Sequence, residues 1–369
     1  MTKNSEQSKL IVLAAGGSGG HIFPAEAVAE VLLARGLRVI LITDKRFANF
    51  KTGALSKIET KTIRTGTVAG SFFKKIAGII GLFVGVLQAR VLLARLKPAG
   101  VVGFGGYPSF PTLFAASSLK IPTLIHEQNS VLGRANRLLA GRVSLIATSF
   151  PNTLMLEENE QKIKVMGNPV RASVRALRHI PYSSLSEDGK VQILVTGGSQ
   201  GASVFSQVVP AAIALLPASL RARIRIDQQC RAADVEATKN AYDELKINAD
   251  IAAFFTDIPA RLAGAHLVIA RSGASTIFEL AAAGRPAILV PLPTSMDNHQ
   301  YYNASAFEEV GGGWVMMQDG FTAQSLAARL EEFITAPETL NKAAENAKKL
   351  GTENAAEFFA DEILKLAAN

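Results

Sequence analysis

One glycine-rich turn occurs twice in this chain, 181 positions apart, each time directly after a short apolar run. Leu10-Ile11-Val12-Leu13-Ala14-Ala15 leads into Gly16-Gly17-Ser18-Gly19-Gly20-His21, and Val191-Gln192-Ile193-Leu194-Val195-Thr196 leads into Gly197-Gly198-Ser199-Gln200-Gly201-Ala202. A strand buried on both faces reads as a continuous apolar run, and a glycine turn opening a helix offers backbone N–H groups to an anion. Two such units predict two similar α/β domains with a phosphate-bearing ligand between them. The chain has 369 residues, 48% of them apolar, which suits two cores rather than one.

Apolar runs alternate with helical patterns throughout, as parallel sheets built from βαβ units require. The first half reads as strand Leu10–Ala15, helix Pro24–Ala34 closed by Gly36, strand Arg38–Thr43, and Val101-Val102-Gly103-Phe104 entering a third glycine turn, Gly103–Tyr107. Helix Phe110–Leu119 and strand Pro122–His126 follow. The second half repeats the order: strand Val191–Thr196, helix Ala202–Leu215, strands Ile224–Asp227 and Leu267–Ala270, helix Ile277–Ala283 ending at Gly284, and strand Ala287–Val290. The expected domains are 1–172 and 191–350, joined by a linker over 173–190, with 351–369 a terminal helix that packs back on the first domain.

Charge divides with the domains. Residues 1–180 hold 24 Lys and Arg against 9 Asp and Glu, net +15; residues 181–369 hold 15 against 22, net −7. A basic half suggests an anionic partner, namely nucleic acid, a membrane surface or a polyphosphate, unless the two halves merely complement each other. The longest apolar stretch, Ile76–Leu87, is twelve residues, short of the ~20 that span a bilayer. It follows Phe72-Phe73-Lys74-Lys75 and suits either an anionic membrane surface or a buried helix. The polar start Met1–Lys9 and the single Cys230 predict a chain that stays in a reducing cytoplasm.

Ligands of open α/β sheets gather at the carboxyl ends of strands, where all three glycine turns are expected. None carries a dinucleotide or triphosphate-loop signature. His21, at the opening of the first helix, is a candidate general base or, alternatively, a cap. His126-Glu127-Gln128-Asn129 is a polar cluster after a strand. Arg271-Ser272-Gly273-Ala274 opens a helix with small residues, exposing its N–H groups to a diphosphate, and Glu279 on that helix suits a ribose diol. Gln300 in Asp297–Gln300 suits a sugar, and Arg171 a phosphate. There is no Asp-X-Asp pair and no zinc spacing, so no metal and no cofactor is expected. No Gly-X-Ser-X-Gly with the strand–turn–helix context and partners of a nucleophilic triad is evident.

Five of these motifs in order, Gly16–Pro24, His126–Asn129, Gly167-Asn168-Pro169-Val170-Arg171, Gly197–Ala202 and Arg271–Ala274, closely resemble the MurG family of bacterial N-acetylglucosaminyltransferases. The resemblance spans essentially the whole chain. It implies the GT-B fold, two doubly wound Rossmann-like domains facing a central cleft, and inverting transfer from UDP-GlcNAc to the 4-hydroxyl of the N-acetylmuramoyl unit of lipid I. It places donor contacts on Ser18, Gly19, Gly20, Asn129, Arg171, Ser199, Ala274, Ser275, Thr276, Glu279 and Gln300, and a uracil contact near Phe255. There this sequence departs from the aliphatic residue commoner in the family. His21 would be the base. The acceptor diphosphate would meet Gly16–Gly20 and Gly105, Gly106 and Tyr107, with the basic half peripheral on the cytoplasmic face of the cell membrane. The rivals are a UDP-GlcNAc 2-epimerase, a transferase for small aglycones, or a non-catalytic sugar-nucleotide binder. No aromatic-interleaved basic stripe supports nucleic acid.

Overall fold

The computed structural model describes residues 9–16, 19–45, 53–66, 72–156, 160–186, 188–198 and 201–368. The chain divides into two compact units, residues 1–171 with 354–369, and residues 172–353. Each contains its own parallel sheet.

The first sheet runs β1 (Leu10–Ala14), β2 (Arg38–Thr43), β3 (Glu59–Thr62), β4 (Gly100–Gly103), β5 (Thr123–Glu127), β6 (Leu145–Thr148) and β7 (Ile163–Val165) in spatial order β3-β2-β1-β4-β5-β6-β7. Val12 pairs with Ile40 on one side and Val101 on the other. The strand period of two sends Ile11 and Leu13 into one core layer, with α1 (Gly19–Ala34), and Leu10 and Val12 into the opposite layer, with Ala89, Leu93 and Leu113. The second layer is covered by α2 (Phe72–Leu96), α3 (Ser109–Ser118) and α4 (Arg134–Ala140).

Two sequence expectations change here. Helix α1 opens at Gly19, five residues before Pro24, so Pro24 lies inside it. A proline so close to the start removes only one early N–H and leaves the rest of the helix intact. The helix is also longer than the twelve-residue apolar stretch, because it continues through Gln88 and Arg90: α2 has 25 residues, and Ile76–Leu96 is long and apolar enough by length and composition to cross a membrane. It nonetheless lies against protein along one side. Gly78, Gly85, Ala89 and Leu93 are buried, and a Cβ at Gly85 would collide with the Arg64 carbonyl. The opposite side leaves Ile76, Ile79, Ile80, Phe83, Leu87 and Val91 exposed, Phe83 at 63%.

The second sheet runs β8 (Val191–Thr196), β9 (Ile224–Gln229), β10 (Asn248–Ala252), β11 (Leu267–Ala270), β12 (Ala287–Leu289) and β13 (Gly313–Val315) in order β10-β9-β8-β11-β12-β13. The stretch 172–190 lies in this unit and opens with α5 (Ala172–Arg175). Around the sheet follow α6 (Ser203–Leu215), α7 (Ala218–Arg221), α8 (Val235–Glu244), α9 (Ile258–Gly264), α10 (Ala274–Ala283), α11 (His299–Glu309), α12 (Ala323–Thr335) and α13 (Glu338–Ala347). The last helix, α14 (Ala355–Leu366), belongs to the first unit, where Phe359 is fully buried beside Phe104 and His126.

Candidate active site

Both sheets reverse direction at one point. In the first, the chain winds outward from β1 through β2 and β3, then restarts beside β1 at β4; in the second, β8 and β11 are the corresponding pair. Crevices outside the carboxyl ends of strands at such points are where open α/β sheets bind ligands. Most of the predicted residues that the structure describes lie near these two places.

In the first unit the turns after β1 and β4 interlock through their backbones. The Gly16 N–H donates to the Gly105 carbonyl at 3.0 Å, and Ser109 Oγ lies 2.7 Å from both the Gly105 and Ala14 carbonyls. Gly105 has φ +91°, and a Cβ there would stand 2.7 Å from Nδ1 of His21. Only glycine lets the ring occupy that place. His21 is the third residue of α1; its ring keeps some exposure while Nδ1 is buried. Burial holds its pKa below the ordinary histidine value, opposed by the Phe104 carbonyl and the Gln128 side chain that face it. His21 is therefore a neutral imidazole at neutral pH, the form that accepts a proton.

Beneath it lies a second, wholly buried histidine. His126 is held neutral, with its pKa pushed down to about 3 by burial and by the neighbouring His21, against the Gly167 backbone. Its Nε2 lies 2.8 Å from Ser149 Oγ, and Gln128 Nε2 is 3.2 Å from its Nδ1. Glu127, buried beside them, has its carboxyl pushed up by desolvation; the backbone N–H groups of Gly133 and Asn129 and the amide of Asn136 pull it the other way. Asn129, predicted to touch the donor, turns its amide nitrogen onto Glu127 at 3.2 Å. Arg171 stacks 4.3 Å over the ring of Phe23, two residues beyond His21, so the loop after β7 reaches the start of α1. Gly19 and Gly20 precede His21 at the start of α1, Gly105 and Gly106 lie against its ring, and Tyr107 follows them, exposed. Ser18 lies outside the described residues.

In the second unit α10 starts immediately after β11. Its N-cap, Gly273, is extended and supplies no side-chain cap, so the first-turn N–H groups are left for another acceptor. Ser275 Oγ in that turn is buried without a hydrogen-bond partner. Asn303 donates to the Ser272 carbonyl at 3.1 Å and Ser272 Oγ donates to the Gln300 carbonyl at 2.7 Å, which fixes α11 beside this helix start. The Gln300 side chain accepts from the Leu292 N–H at 3.0 Å. Thr276 and Glu279 are on the first and second turns of α10. Arg271 spends its guanidinium on the Val290 and Pro291 carbonyls and on Gln318, so it ties the loop after β12 in place. The glycine turn after β8 closes through Gly201 N–H to the Gly198 carbonyl at 3.1 Å; Ser199 lies outside the described residues.

Phe255 stands apart, on the loop after β10. It is buried, and Arg261 lies 3.7 Å over its ring while pairing with Asp227, Asp250 and Asp257. Arg261, Asn136, Ser149 and Asn303 went unremarked in the sequence. Each acts through partners brought in from other elements, and no local motif marks it. No group of three or more His, Cys, Asp and Glu arranged for a metal occurs among the described residues.

Comparison with known proteins is consistent along the chain. The Glycosyltransferase family 28 N-terminal domain matches residues 11–148 and the Glycosyltransferase family 28 C-terminal domain residues 192–360. A UDP-N-acetylglucosamine–N-acetylmuramyl-(pentapeptide) pyrophosphoryl-undecaprenol N-acetylglucosamine transferase of Paramagnetospirillum magneticum is 53% identical over 367 residues, 99% of each chain. The protein of the same name from Rhodospirillum centenum is 52% identical over 96% of this chain and 93% of its own. Among solved structures, Acinetobacter baumannii MurG superposes with TM-score 0.77 at 29% identity, covering 97% of this chain and 99% of that one. A Neisseria meningitidis UDP-GlcNAc 2-epimerase, at 16% identity and TM-score 0.68 over 96% and 100% of the two chains, shares the fold.

Proposed function

The chain belongs to glycosyltransferase family 28 and, within it, to the MurG family of N-acetylglucosamine transferases, and from that premise we propose how its residues carry the reaction. It is a hexosyltransferase that moves N-acetylglucosamine from UDP-GlcNAc to lipid I, N-acetylmuramyl-(pentapeptide) pyrophosphoryl-undecaprenol, giving lipid II for peptidoglycan. The observation that carries the assignment of roles is the division between a neutral, partly accessible histidine in one unit and an uncapped helix N-terminus in the other.

His21 is the general base. The 4-hydroxyl oxygen of the acceptor sugar attacks the anomeric carbon of N-acetylglucosamine, its proton passes to His21, and the bond from that carbon to the diphosphate breaks. UDP leaves with the bonding pair and the anomeric centre inverts. The first-turn N–H groups of α10 and Ser275 Oγ receive the diphosphate, where the helix dipole offsets its charge without a metal. Thr276 and Gln300 flank it, Glu279 holds the ribose diol, and the Phe255 loop lines the uracil. Gly19, Gly20, Asn129, Arg171 and the Ser18 and Ser199 turns complete the donor contacts. Gly105, Gly106 and Tyr107 face the acceptor diphosphate.

The first unit docks on an anionic membrane surface as a peripheral protein of the cytoplasmic leaflet. Six large apolar side chains exposed along one side of α2, within residues 1–180 that carry net charge +15, support that reading. A helix packed along its other side lies flat more readily than it spans.

Transfer of radiolabel from UDP-GlcNAc to a short-chain lipid I analogue, beside a donor-only control, tests the reaction. Label in lipid is the expected result. Conversion of UDP-GlcNAc with no acceptor present marks an epimerase instead.

A further inference from the structure

Gln128, directly after β5, is 3% exposed, and two of its four hydrogen-bonding directions, both on Nε2, are accounted for by geometry. Its Nε2 donates to the Phe104 carbonyl at 2.6 Å and lies 3.2 Å from His126 Nδ1. The Phe104 carbonyl can only accept, so the amide nitrogen must be the atom that faces it, and this fixes which way the amide points. Both hydrogens of Nε2 are then spent, the second on His126 Nδ1.

That assignment propagates. His126 accepts at Nδ1 and so carries its own proton on Nε2, facing Ser149 Oγ at 2.8 Å. Ser149 in turn donates to the Glu127 carbonyl at 3.0 Å. The direction of this buried row is set by main-chain carbonyls at both ends, those of Phe104 and Glu127.

The remaining atom, Gln128 Oε1, lies on the Gly105 side: a Cβ placed at Gly105 would be 3.6 Å from it and 2.7 Å from His21 Nδ1. Among the described polar groups that face the His21 ring are this side chain and the Phe104 carbonyl. Both present oxygen acceptors. A buried ring nitrogen beside carbonyl and amide oxygens is better satisfied holding the proton, since a lone pair there would face oxygen lone pairs. Nδ1 is not yet at hydrogen-bond geometry with either oxygen. Such contacts commonly tighten once substrate is bound.

We infer that Gln128 is a positioning residue which, with the Phe104 carbonyl, holds His21 in the Nδ1–H tautomer and leaves Nε2 as the atom that takes the acceptor proton. The inference rests on the reading of His21 as the base and adds to it the atom and the residue that selects it. When Nε2 is protonated during transfer, the imidazolium charge is met on its buried side by two oxygens already in place. His21 and His126, next to each other, are in opposite tautomers.

Long-range proton–nitrogen correlation spectra of the full chain with ¹⁵N-labelled histidine, at pH 7.5, read this directly; His21→Gln and His126→Gln assign the signals. The expected result is a protonated Nδ1 and bare Nε2 on His21, with the reverse on His126. A His21 found as the Nε2–H tautomer, or as imidazolium, overturns the inference. Steady-state kinetics give a second measure: Gln128→Leu lowers kcat about 10–100-fold while KM for UDP-GlcNAc stays within about threefold. An unchanged kcat in a folded Gln128→Leu protein also overturns it. If that variant does not fold, the spectrum of the unaltered chain decides. Transfer by His21→Ala separates the two claims: retained transfer removes the base reading and leaves the tautomer standing, whereas lost transfer with His21 in the Nε2–H form does the opposite.

Discussion

The two sheets are wound alike, β2-β1-β4-β5 in one unit and β9-β8-β11-β12 in the other, yet their switch points are furnished for different chemistry. The first is crowded with titratable groups. His21, His126 and Glu127 lie together, and burial pushes all three toward their neutral forms. The second offers dipoles rather than side-chain charge: an uncapped helix start, an unpartnered serine hydroxyl, and an arginine whose guanidinium is committed to carbonyls. A proton acceptor has to be neutral and free to change state, whereas a diphosphate site has to be fixed before the ligand arrives. One scaffold, used twice, provides both.

The largest expected effect breaks the first unit's side of this division. His21→Ala should lower kcat about 10²–10⁴-fold and leave UDP affinity unchanged by calorimetry. Near-normal turnover would move the base elsewhere.

The same unit should also be the acid-sensitive one. An unfolded histidine binds its proton near pH 6.5, but His126 in the folded chain does so only at about 3. Between those values the unfolded state holds more protons, so stability falls as pH drops through that window. Glu127, with its carboxyl raised, works the other way, losing stability as pH rises above the unfolded carboxyl value. Thermal melts at pH 7 and pH 4 should show a lower midpoint at pH 4, and His126→Gln should flatten the difference. An equal drop in the variant would place the acid sensitivity in other groups.

On the second unit's side, Glu279→Ala should weaken UDP binding about 10–100-fold, the worth of a hydrogen bond to a charged group, with kcat at saturating donor much less affected. Unaltered affinity would leave the ribose without its assigned partner.

The smallest effect concerns α2. Phe83→Ser should weaken binding to phosphatidylglycerol vesicles about tenfold, the low end of the roughly 1.5–3 kcal/mol for burying such a ring, since an interfacial ring is only partly withdrawn from water. Turnover of a soluble acceptor should not change. Vesicle binding indifferent to this change and to salt would argue for a different role of the exposed face.

Much of the scaffold was legible beforehand. Arg38–Thr43, Val191–Thr196 and Leu267–Ala270 are strands over the residues the sequence marked, because strands covered on both faces are mostly apolar and stand out from the turns around them. The edge strands Glu59–Thr62 and Asn248–Ala252 were not foreseen. Both are short, the first wholly polar and the second broken by Asn248 and Asp250, and only the neighbouring strand makes them strands. Helix α2 was cut short for a similar reason: Gln88 and Arg90 end the apolar run without ending the helix.

The candidate site divides in the same way. His21 and the start of α10 could be named from the chain alone, since a glycine turn and the residues after it are local and their backbone demands are written in sequence order. What surrounds His21 could not. Gln128, Phe104 and Gly105 reach it from two other strand ends, and His126 meets Phe359 from the last helix. Composition and pattern determine which segments become strands and which turns open toward an anion. The protonation state of a buried ring depends on the groups packed around it from distant parts of the chain, and only the completed fold brings those groups together.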